Sequence, residues 1–206
     1  QIKFTKRMSK GLMFRASYTN SKTLERRRYL NAQDRDEGLD LTQELVTYDI
    51  PQRVVVSGLW ELPFGPGKPI FNSPQSFTGK LIEGWQLNVV YTAQGGIPLV
   101  ISGAESVGRS AEIGSSERNI WNWFDRSAFR IRDTLEYVAT SRLPDLRSHG
   151  RNNVDLSLFK NVVLAEQLKL QVRIESFNAF NRPEYNVPDM TFGGPAFGTI
   201  STTNIF

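Results

Sequence analysis

Alternation of apolar and polar residues is the clearest pattern in this chain. Residues 168–175 read Leu-Lys-Leu-Gln-Val-Arg-Ile-Glu, so every second position is apolar. Because successive side chains of a β-strand point to opposite faces, a strand would collect the apolar residues on one face. The opposite face would then carry Lys169, Gln171, Arg173 and Glu175. A helix would scatter both sets around its circumference, so the pattern predicts a strand.

The same alternation recurs in five other segments and predicts five further strands. Each segment has an apolar row and a more polar row, and the segments cover residues 2–8, 12–19, 53–62, 85–92 and 153–158. Lys6 interrupts the apolar row of the first segment, and Gly58 weakens that of the third. A fainter pattern near residues 197–206 adds a seventh candidate strand.

Short and long connections alternate between these strands. Ser9-Lys10-Gly11 predicts a tight hairpin turn, because glycine adopts the positive φ angles that such turns need. The other short connections are predicted at residues 63–79 and 164–166, and the long ones at residues 21–51, 95–150 and 181–195. In an antiparallel meander every second connection lies at the same end, so all long loops would leave the sheet on one side. Outer-membrane barrels have this asymmetry.

The predicted fold class is therefore all-β: an antiparallel up-and-down meander of six to seven strands that forms part of a transmembrane β-barrel and is open as a fragment. Aromatic residues near the strand ends agree with this prediction, because amphipathic rings collect at both membrane interfaces. They are Tyr18, Trp60, Phe64, Trp85, Tyr91 and Phe177. A soluble antiparallel sheet with one wet face explains each strand alone equally well, but it does not explain the sorting of the loops.

Composition excludes several classes of function. The chain has 206 residues, no cysteine and a single histidine, which excludes disulfides, thiolate catalysis and histidine-rich metal sites. The formal net charge is +4, from 25 basic and 21 acidic residues. The one dense basic run, residues 25–28, is followed by acidic residues, and we interpret it as a solvated loop rather than a nucleic-acid surface. We expect no cofactor and no nucleic-acid partner.

Two polar clusters contain residue types that are used in catalysis or metal binding. Ser148, His149 and Asn152 have the residue types of a nucleophilic site, but neighbours on a strand or turn point in different directions. We therefore interpret His149 as a solvated loop histidine and predict that the chain is not an enzyme. The acidic segment 34–38 lacks the remaining ligands of an EF-hand, and Arg35 would repel a cation. A solvated loop is the preferred interpretation, and weak calcium binding is the alternative.

The aromatic-rich segment 118–125 is the candidate ligand-binding site. In an extracellular loop, Arg118, Trp121 and Trp123 would offer large rings beside hydrogen-bonding groups, which can stack on a sugar or a peptide. The alternative is that these rings pack the core of a folded loop. In a barrel, the polar row of residues 169–175 would face the lumen.

Eight short sequence blocks occur in a characteristic order and at characteristic spacings. In chain order they lie within residues 11–22, 48–65, 84–86, 94–99, 123–129, 150–160, 173–183 and 197–200. They include Gly84-Trp85-Gln86, Gln94-Gly95-Gly96-Ile97-Pro98-Leu99 and Phe177-Asn178-Ala179-Phe180-Asn181. Together the blocks resemble the C-terminal barrel region of TonB-dependent receptors, in particular those with an N-terminal carboxypeptidase-regulatory-like domain.

The resemblance implies a barrel of about 22 strands closed around a plug, which imports a scarce nutrient across the bacterial outer membrane with energy transmitted by TonB. It implies outer-membrane lipid, the protein's own plug domain, the TonB complex and a small-molecule, sugar or peptide ligand as partners. Such receptors carry the plug before the barrel and end on one more strand. Residues 1–206 are therefore expected to be a partial barrel domain that lacks the plug and the last strand.

Two other functions remain open at this point. One is an outer-membrane adhesion or surface-assembly barrel without active transport. The other is a soluble β-rich binding domain, which is the function expected if the alternating segments form a sheet outside a membrane.

Overall fold

The computed structural model describes residues 1–26, 43–72, 77–101, 103–131, 141–165 and 167–204. The chain divides into two compact units. The sheet unit comprises Gln1–Asn20, Gln52–Gln94 and Asn152–Arg182, and the loop unit comprises Ser21–Pro51, Gly95–Arg151 and Pro183–Phe206. Each unit thus combines three separate segments of the chain. The basic residues Arg27 and Arg28 and the acidic segment 34–38 lie outside the described residues.

The regular secondary structure of the described residues is almost entirely β-strand. In chain order the strands are β1 (Ile2–Ser9), β2 (Leu12–Asn20), β3 (Leu24–Arg26), β4 (Gln43–Leu45), β5 (Gln52–Glu61), β6 (Trp85–Gln94), β7 (Pro98–Ile101), β8 (Ala104–Ser106), β9 (Phe129–Ile131), β10 (Ser141–Arg147), β11 (Arg151–Ala165), β12 (Leu168–Ser176), β13 (Glu184–Tyr185) and β14 (Thr203–Asn204). One helix, α1, spans Phe77–Ile82, and a 3-10 turn spans Arg126–Ala128. Among the described residues, no helix is long and apolar enough to cross a membrane.

Six strands form the sheet of the sheet unit, in the order β1-β2-β5-β6-β11-β12. They are the six strands predicted from the alternation, and each strand lies beside the next one of the six along the chain, as a meander requires. β11 is longer than predicted, because its pairing with β12 continues to Ala165. The prediction of an antiparallel all-β sheet is confirmed.

The register of the sheet aligns the apolar rows of successive strands. Leu12 lies opposite Trp60, and Trp60 lies opposite Leu87. On the last pair of strands, Leu158 lies opposite Ile174. Directly opposed residues of an antiparallel pair share a face. The apolar rows therefore form one continuous apolar face, and the rows that contain Arg15, Ser57, Asn88, Asn161 and Gln171 form the polar face.

Of the three connections inside the sheet unit, two span only two residues each, and the third contains one unpredicted element. Lys10 and Gly11 have φ angles of 50° and 76°, as in the two-residue turns that match the twist of a hairpin. The turn between β11 and β12 was predicted at residues 164–166, but β11 continues to Ala165 and residue 166 lies outside the described residues. The connection between β5 and β6 was predicted at residues 63–79; it extends over residues 62–84 and contains the short helix α1.

A compact aromatic core organises the loop unit. The rings of Phe124 and Phe197 lie 5.2 Å apart, those of Phe124 and Phe129 lie 5.6 Å apart, and all three side chains are buried. Leu99 and Leu146 are buried in the same cluster. The long connections that carry these residues were predicted as long loops, with a packed loop core as one interpretation of segment 118–125. They contain the antiparallel pairs β3–β4, β7–β10, β8–β9 and β13–β14.

The prediction of a seventh strand near residues 197–206 is wrong for the described part of that segment. Phe197 and Ile200 are buried in the core of the loop unit. They therefore do not form the apolar row of a strand in the six-stranded sheet. Only Thr203–Asn204 is a strand, and it pairs with Glu184–Tyr185 instead of joining the six-stranded sheet. Residues 205 and 206 lie outside the described residues.

Candidate functional site

The predicted lumen-facing row of β12 forms a connected polar surface. Gln171 donates a side-chain hydrogen bond to Asn161 at 2.8 Å and accepts one from Arg173 at 3.3 Å. Arg173 also lies 3.6 Å from the carboxylate of Glu175, and its guanidinium is 4.7 Å from the ring centroid of Phe159. Both β11 partners share the polar face, because Phe159 lies opposite Arg173 and Asn161 opposite Gln171.

A second feature of the polar face is a hollow over β1, β2, β5 and β6. It encloses about 280 Å³ and is lined by Thr5, Arg15, Ser57 and Asn88 together with the apolar side chains of Met13 and Leu59. Hydroxyl, guanidinium and amide groups can donate or accept hydrogen bonds here. This hollow therefore combines hydrogen-bonding groups with apolar walls.

The three candidate ligand-binding residues occupy different environments in the loop unit. Trp123 is only 5% exposed, and its indole N–H donates to the backbone carbonyl of Arg147 at 2.8 Å. Arg118 lies over the Trp123 ring, with its guanidinium carbon 5.3 Å from the ring centroid. Trp121 is 71% exposed. Trp123 thus packs in the core of the folded loop unit, which was the alternative interpretation of segment 118–125. Trp121 presents its ring to solvent.

The segment that follows Trp121 lines an open hollow. It encloses about 650 Å³ and is lined by Glu112, Ile113, Glu117, Asn122, Asp125, Arg126 and Ser127. Arg126 donates a hydrogen bond to the backbone carbonyl of Trp121 at 2.5 Å. Asp125 accepts hydrogen bonds from the N–H and hydroxyl of Ser127, which hold the pKa of the carboxyl below its usual value. The wall of the hollow therefore carries ionised and hydrogen-bonding groups in fixed positions.

A buried ion pair joins the segments of the loop unit. The Asp49 carboxylate is 1% exposed and lies 2.9 Å from the guanidinium of Arg147. Arg147 also donates to the backbone carbonyls of Asp49 at 3.0 Å and Gly96 at 3.1 Å. Burial raises the pKa of Asp49, but hydrogen bonds from the Thr23 N–H and from Arg147 outweigh it, so the pKa lies below its usual value. Asp49 is therefore ionised in the folded loop unit.

Glycine is required where the two segments around this ion pair approach each other. A Cβ atom on Gly96 would lie 1.9 Å from the backbone carbonyl oxygen of Ser148. Ser148 donates its N–H to the Ile97 carbonyl at 2.9 Å, and its hydroxyl accepts the Ile97 N–H at 3.1 Å. The backbones are thus held too close for any side chain at position 96.

His149 is not the solvated loop histidine that we predicted. Its ring lies 6.1 Å from the ring of Trp123 and 5.1 Å from that of Tyr185, and it is partly buried between them. Burial lowers the pKa of His149 below its ordinary value, although the charge of Glu184 acts in the opposite direction. Within the described residues, no cluster of histidine and carboxylate side chains could hold a metal ion.

Comparison with known proteins identifies the family. The model of the family described as outer membrane beta barrel domain matches residues 1–205. The chain belongs to this family. No curated protein and no solved structure matches the chain.

Membership of the outer membrane beta barrel family confirms the predicted location in the bacterial outer membrane. The six-stranded sheet is part of the barrel wall, and lipid is its environment. Barrels of this membrane carry an outward-facing apolar band and a polar interior, and the sheet has one face of each kind. The assignment of Lys169, Gln171, Arg173 and Glu175 to the lumen stays a prediction, as does a ligand-binding role for Arg118, Trp121 and Trp123.

Proposed function

We propose that this barrel domain belongs to a TonB-dependent receptor that imports a nutrient ligand across the outer membrane. The observation that carries the proposal is the folded loop unit. Long loops without structure of their own would be sufficient to connect strands, whereas these connections share an aromatic core and a buried ion pair. Folding of long loops into an ordered unit is typical of loops that bind.

The loop unit supplies a suitable surface for capture of a polar ligand. The ring of Trp121 is exposed, and the next residue in the chain, Asn122, lines a hollow of about 650 Å³ together with Glu117 and Arg126. An aromatic ring supplies a stacking surface, and a few positioned polar groups fix the orientation of the bound molecule. We propose a small molecule, a sugar or a peptide as the ligand, and Arg118 contributes by fixing Trp123 and Glu112.

The polar face of the sheet supports a role in the passage of the ligand through the barrel. Its side chains form hydrogen-bonded chains across neighbouring strands, as between Asn161, Gln171 and Arg173. Such groups would contact the plug domain and the water of the lumen. The resemblance to TonB-dependent receptors adds the source of energy, which would be transmitted through the segment before the barrel.

Depletion of the growth medium tests this proposal. Cells with the gene, cells without it and cells without TonB are grown in the same complex medium, and the compounds that remain are measured. The expected result is that the same compound remains unconsumed in both mutant cultures. Equal consumption in all three cultures contradicts import and favours the alternative, an adhesion or surface-assembly barrel. A phenotype of the gene deletion that does not depend on TonB contradicts the proposal as well.

A further inference from the structure

Positive charge is concentrated on one part of the polar face. Over β1, β2, β5 and β6 the register places the polar-face residues in four rows of opposed positions. From the long-loop end, the rows are Thr19-Arg53-Gln94, Lys3-Ser17-Val55-Thr92, Thr5-Arg15-Ser57-Val90 and Met13-Leu59-Asn88. Each of the first three rows contains one basic residue, and none of the four contains an acidic residue. We call Lys3, Arg15 and Arg53 the basic triangle.

The side chains of the basic triangle are exposed and carry no counter-charge. Within the part of the chain that the structure describes, none of the three forms an ion pair or a side-chain hydrogen bond. The nearest acidic position along these strands is Glu61, in the next row, and its carboxylate lies 3.2 Å from the ammonium group of Lys68. Like charges repel each other most strongly where water is excluded, so a bound anion would stabilise this surface.

The other carboxylates of the polar face already have partners. Asp155 on β11 accepts hydrogen bonds from the Asn153 side chain at 2.8 Å and from the Asn178 N–H at 2.9 Å. Glu175 on β12 lies 3.6 Å from the guanidinium of Arg173. The charge of β12 is thus partly balanced within its own strand, whereas that of the basic triangle is not.

The basic triangle is small enough for one bound molecule to contact its members together. From the row and strand spacings, the Cα atoms of Lys3 and Arg15 are roughly 8 Å apart, and that of Arg53 lies roughly 12 Å from Lys3 and 14 Å from Arg15. Long side chains let the ammonium and guanidinium groups converge. Ser17 lies directly opposite Lys3, and Thr5 directly opposite Arg15. Their hydroxyls are further hydrogen-bond donors for an anion.

The hollow of about 280 Å³ gives this surface a place for an apolar group. Arg15, Thr5 and Ser57 line it together with Met13 and Leu59. Met13 and Leu59 lie opposite each other, in the row next to that of Arg15. Small-molecule sites typically combine apolar walls with a few polar groups that fix the orientation of the ligand. A guanidinium beside an apolar wall fits a molecule that has an acidic group at one end and an apolar body at the other.

We propose that the basic triangle and this hollow form a binding site for a small organic anion, with a carboxylate or phosphate group on an apolar body. Arg15 binds the acidic group through charge-assisted hydrogen bonds, and Met13 and Leu59 contact the apolar body. Lys3 and Arg53 attract the anion from a distance. A polar face lines the interior of an outer-membrane barrel, so the site lies in the barrel interior. The proposal goes beyond import, because binding at this site requires neither TonB nor transport.

Three probes of similar shape and different charge test the site. They are 4-fluorobenzoate, 4-fluorobenzamide and 4-fluorobenzylammonium, and the broadening of their fluorine NMR signals is measured with the full-length protein in non-ionic detergent micelles and with micelles alone. The expected result is that the protein broadens the benzoate signal most and that excess unlabelled benzoate reverses the effect. Equal broadening of benzoate and benzamide, or no broadening beyond that of the micelles, overturns the proposal.

Single substitutions locate the binding of 4-fluorobenzoate. Arg15→Gln is expected to weaken it about tenfold, because hydrogen bonds to a charged group are lost. Arg173→Gln is the matched control and should leave the affinity unchanged, since Glu175 already balances that charge. Equal affinities in wild type and Arg15→Gln, or equal losses in the two variants, contradict the proposal. If Arg15→Gln does not fold, the double variant Lys3→Gln/Arg53→Gln replaces it; a loss of about fivefold is then expected, and an unchanged affinity overturns the proposal.

Discussion

The guanidinium of Arg147 lies 2.9 Å from the carboxylate of Asp49, although 98 residues separate them in the chain. The contact joins the connection after β2 to the strand before β11 inside the loop unit. Since Arg147 also binds the Gly96 carbonyl, one side chain connects two of the three segments of the loop unit. Removal of one partner of a buried ion pair leaves the other charge without compensation, which is strongly destabilising.

Replacement of this arginine is expected to loosen the loop unit without preventing insertion of the barrel. For Arg147→Met we expect a loss of roughly 2–4 kcal/mol in the local unfolding free energy, measured by hydrogen exchange of the loop amides in the full-length protein. Arg130→Met is the matched control, because the Arg130–Glu105 pair is mostly exposed and such pairs contribute less than about 1 kcal/mol. Equal losses in the two variants would contradict the role of the Asp49 pair.

The loop unit is expected to become less stable as the pH falls, because of His149. Its pKa in the folded state lies below the ordinary value of 6.5, so the folded state binds fewer protons than the unfolded state. The contribution of neutral His149 is complete above pH 6.5, decreases as the pH falls below that value, and is lost once the pH has passed through the lower pKa of the folded state. Hydrogen exchange of the loop amides at about pH 7.5 and about pH 5.5 measures the effect. His149→Phe should remove most of this pH dependence, and an unchanged dependence in the variant would assign it to other groups.

Two tryptophans of the loop unit are expected to differ in their roles. Trp123 is buried, so Trp123→Ala should lower the stability of the loop unit by about 3–5 kcal/mol, seen as lost protection in hydrogen exchange. Trp121 is exposed, so Trp121→Ala should leave that protection unchanged and reduce uptake of the compound identified by medium depletion. If uptake by Trp121→Ala cells equals that of the wild type, Trp121 has no part in ligand capture.

Adjacent positions on β12 are expected to respond in opposite ways to a change of polarity. Ile174→Arg places a charge on the apolar face and should impair assembly, because arginine costs about 2–4 kcal/mol near the middle of the bilayer. Arg173→Leu changes the polar face, where it removes the contacts with Phe159 and Gln171, and should be tolerated. The amount of folded protein in purified outer membranes gives the comparison. Equal loss for both variants would refute the assignment of the two faces.

The sheet could be predicted from the sequence because its signal is local. Each strand is long enough for the alternation to show, and residues 168–175 define both faces without information from any partner. The hairpin at Lys10 and Gly11 then fixes the pairing of β1 with β2. Exceptions to the pattern were harder to interpret. Lys160 stands on the apolar face, and only the contacts with Glu83 and Trp85 explain its presence there.

The loop unit could not be predicted because its contacts are distant in sequence. Nothing near Asp49 indicates that its partner is Arg147. Phe197 and Ile200 were assigned to a strand on local alternation, whereas their burial depends on Phe124 and Phe129, roughly seventy residues earlier. The aromatic segment 118–125 allowed two interpretations, a ligand-binding site and a packed loop core. Which of its rings is buried depends on residues of other segments that form the rest of the core.

The contacts between the three connections of the loop unit also set the order in which the domain can fold. The Phe124 ring packs against Phe197, and Asp49 pairs with Arg147, so the unit cannot close until all three connections are on the same side of the membrane. Until Phe197 joins the unit, Phe124 and Phe129 lack the ring that packs against both of them. Exposed apolar rings favour aggregation, so the domain is more prone to aggregate before the loop unit closes than after it has closed.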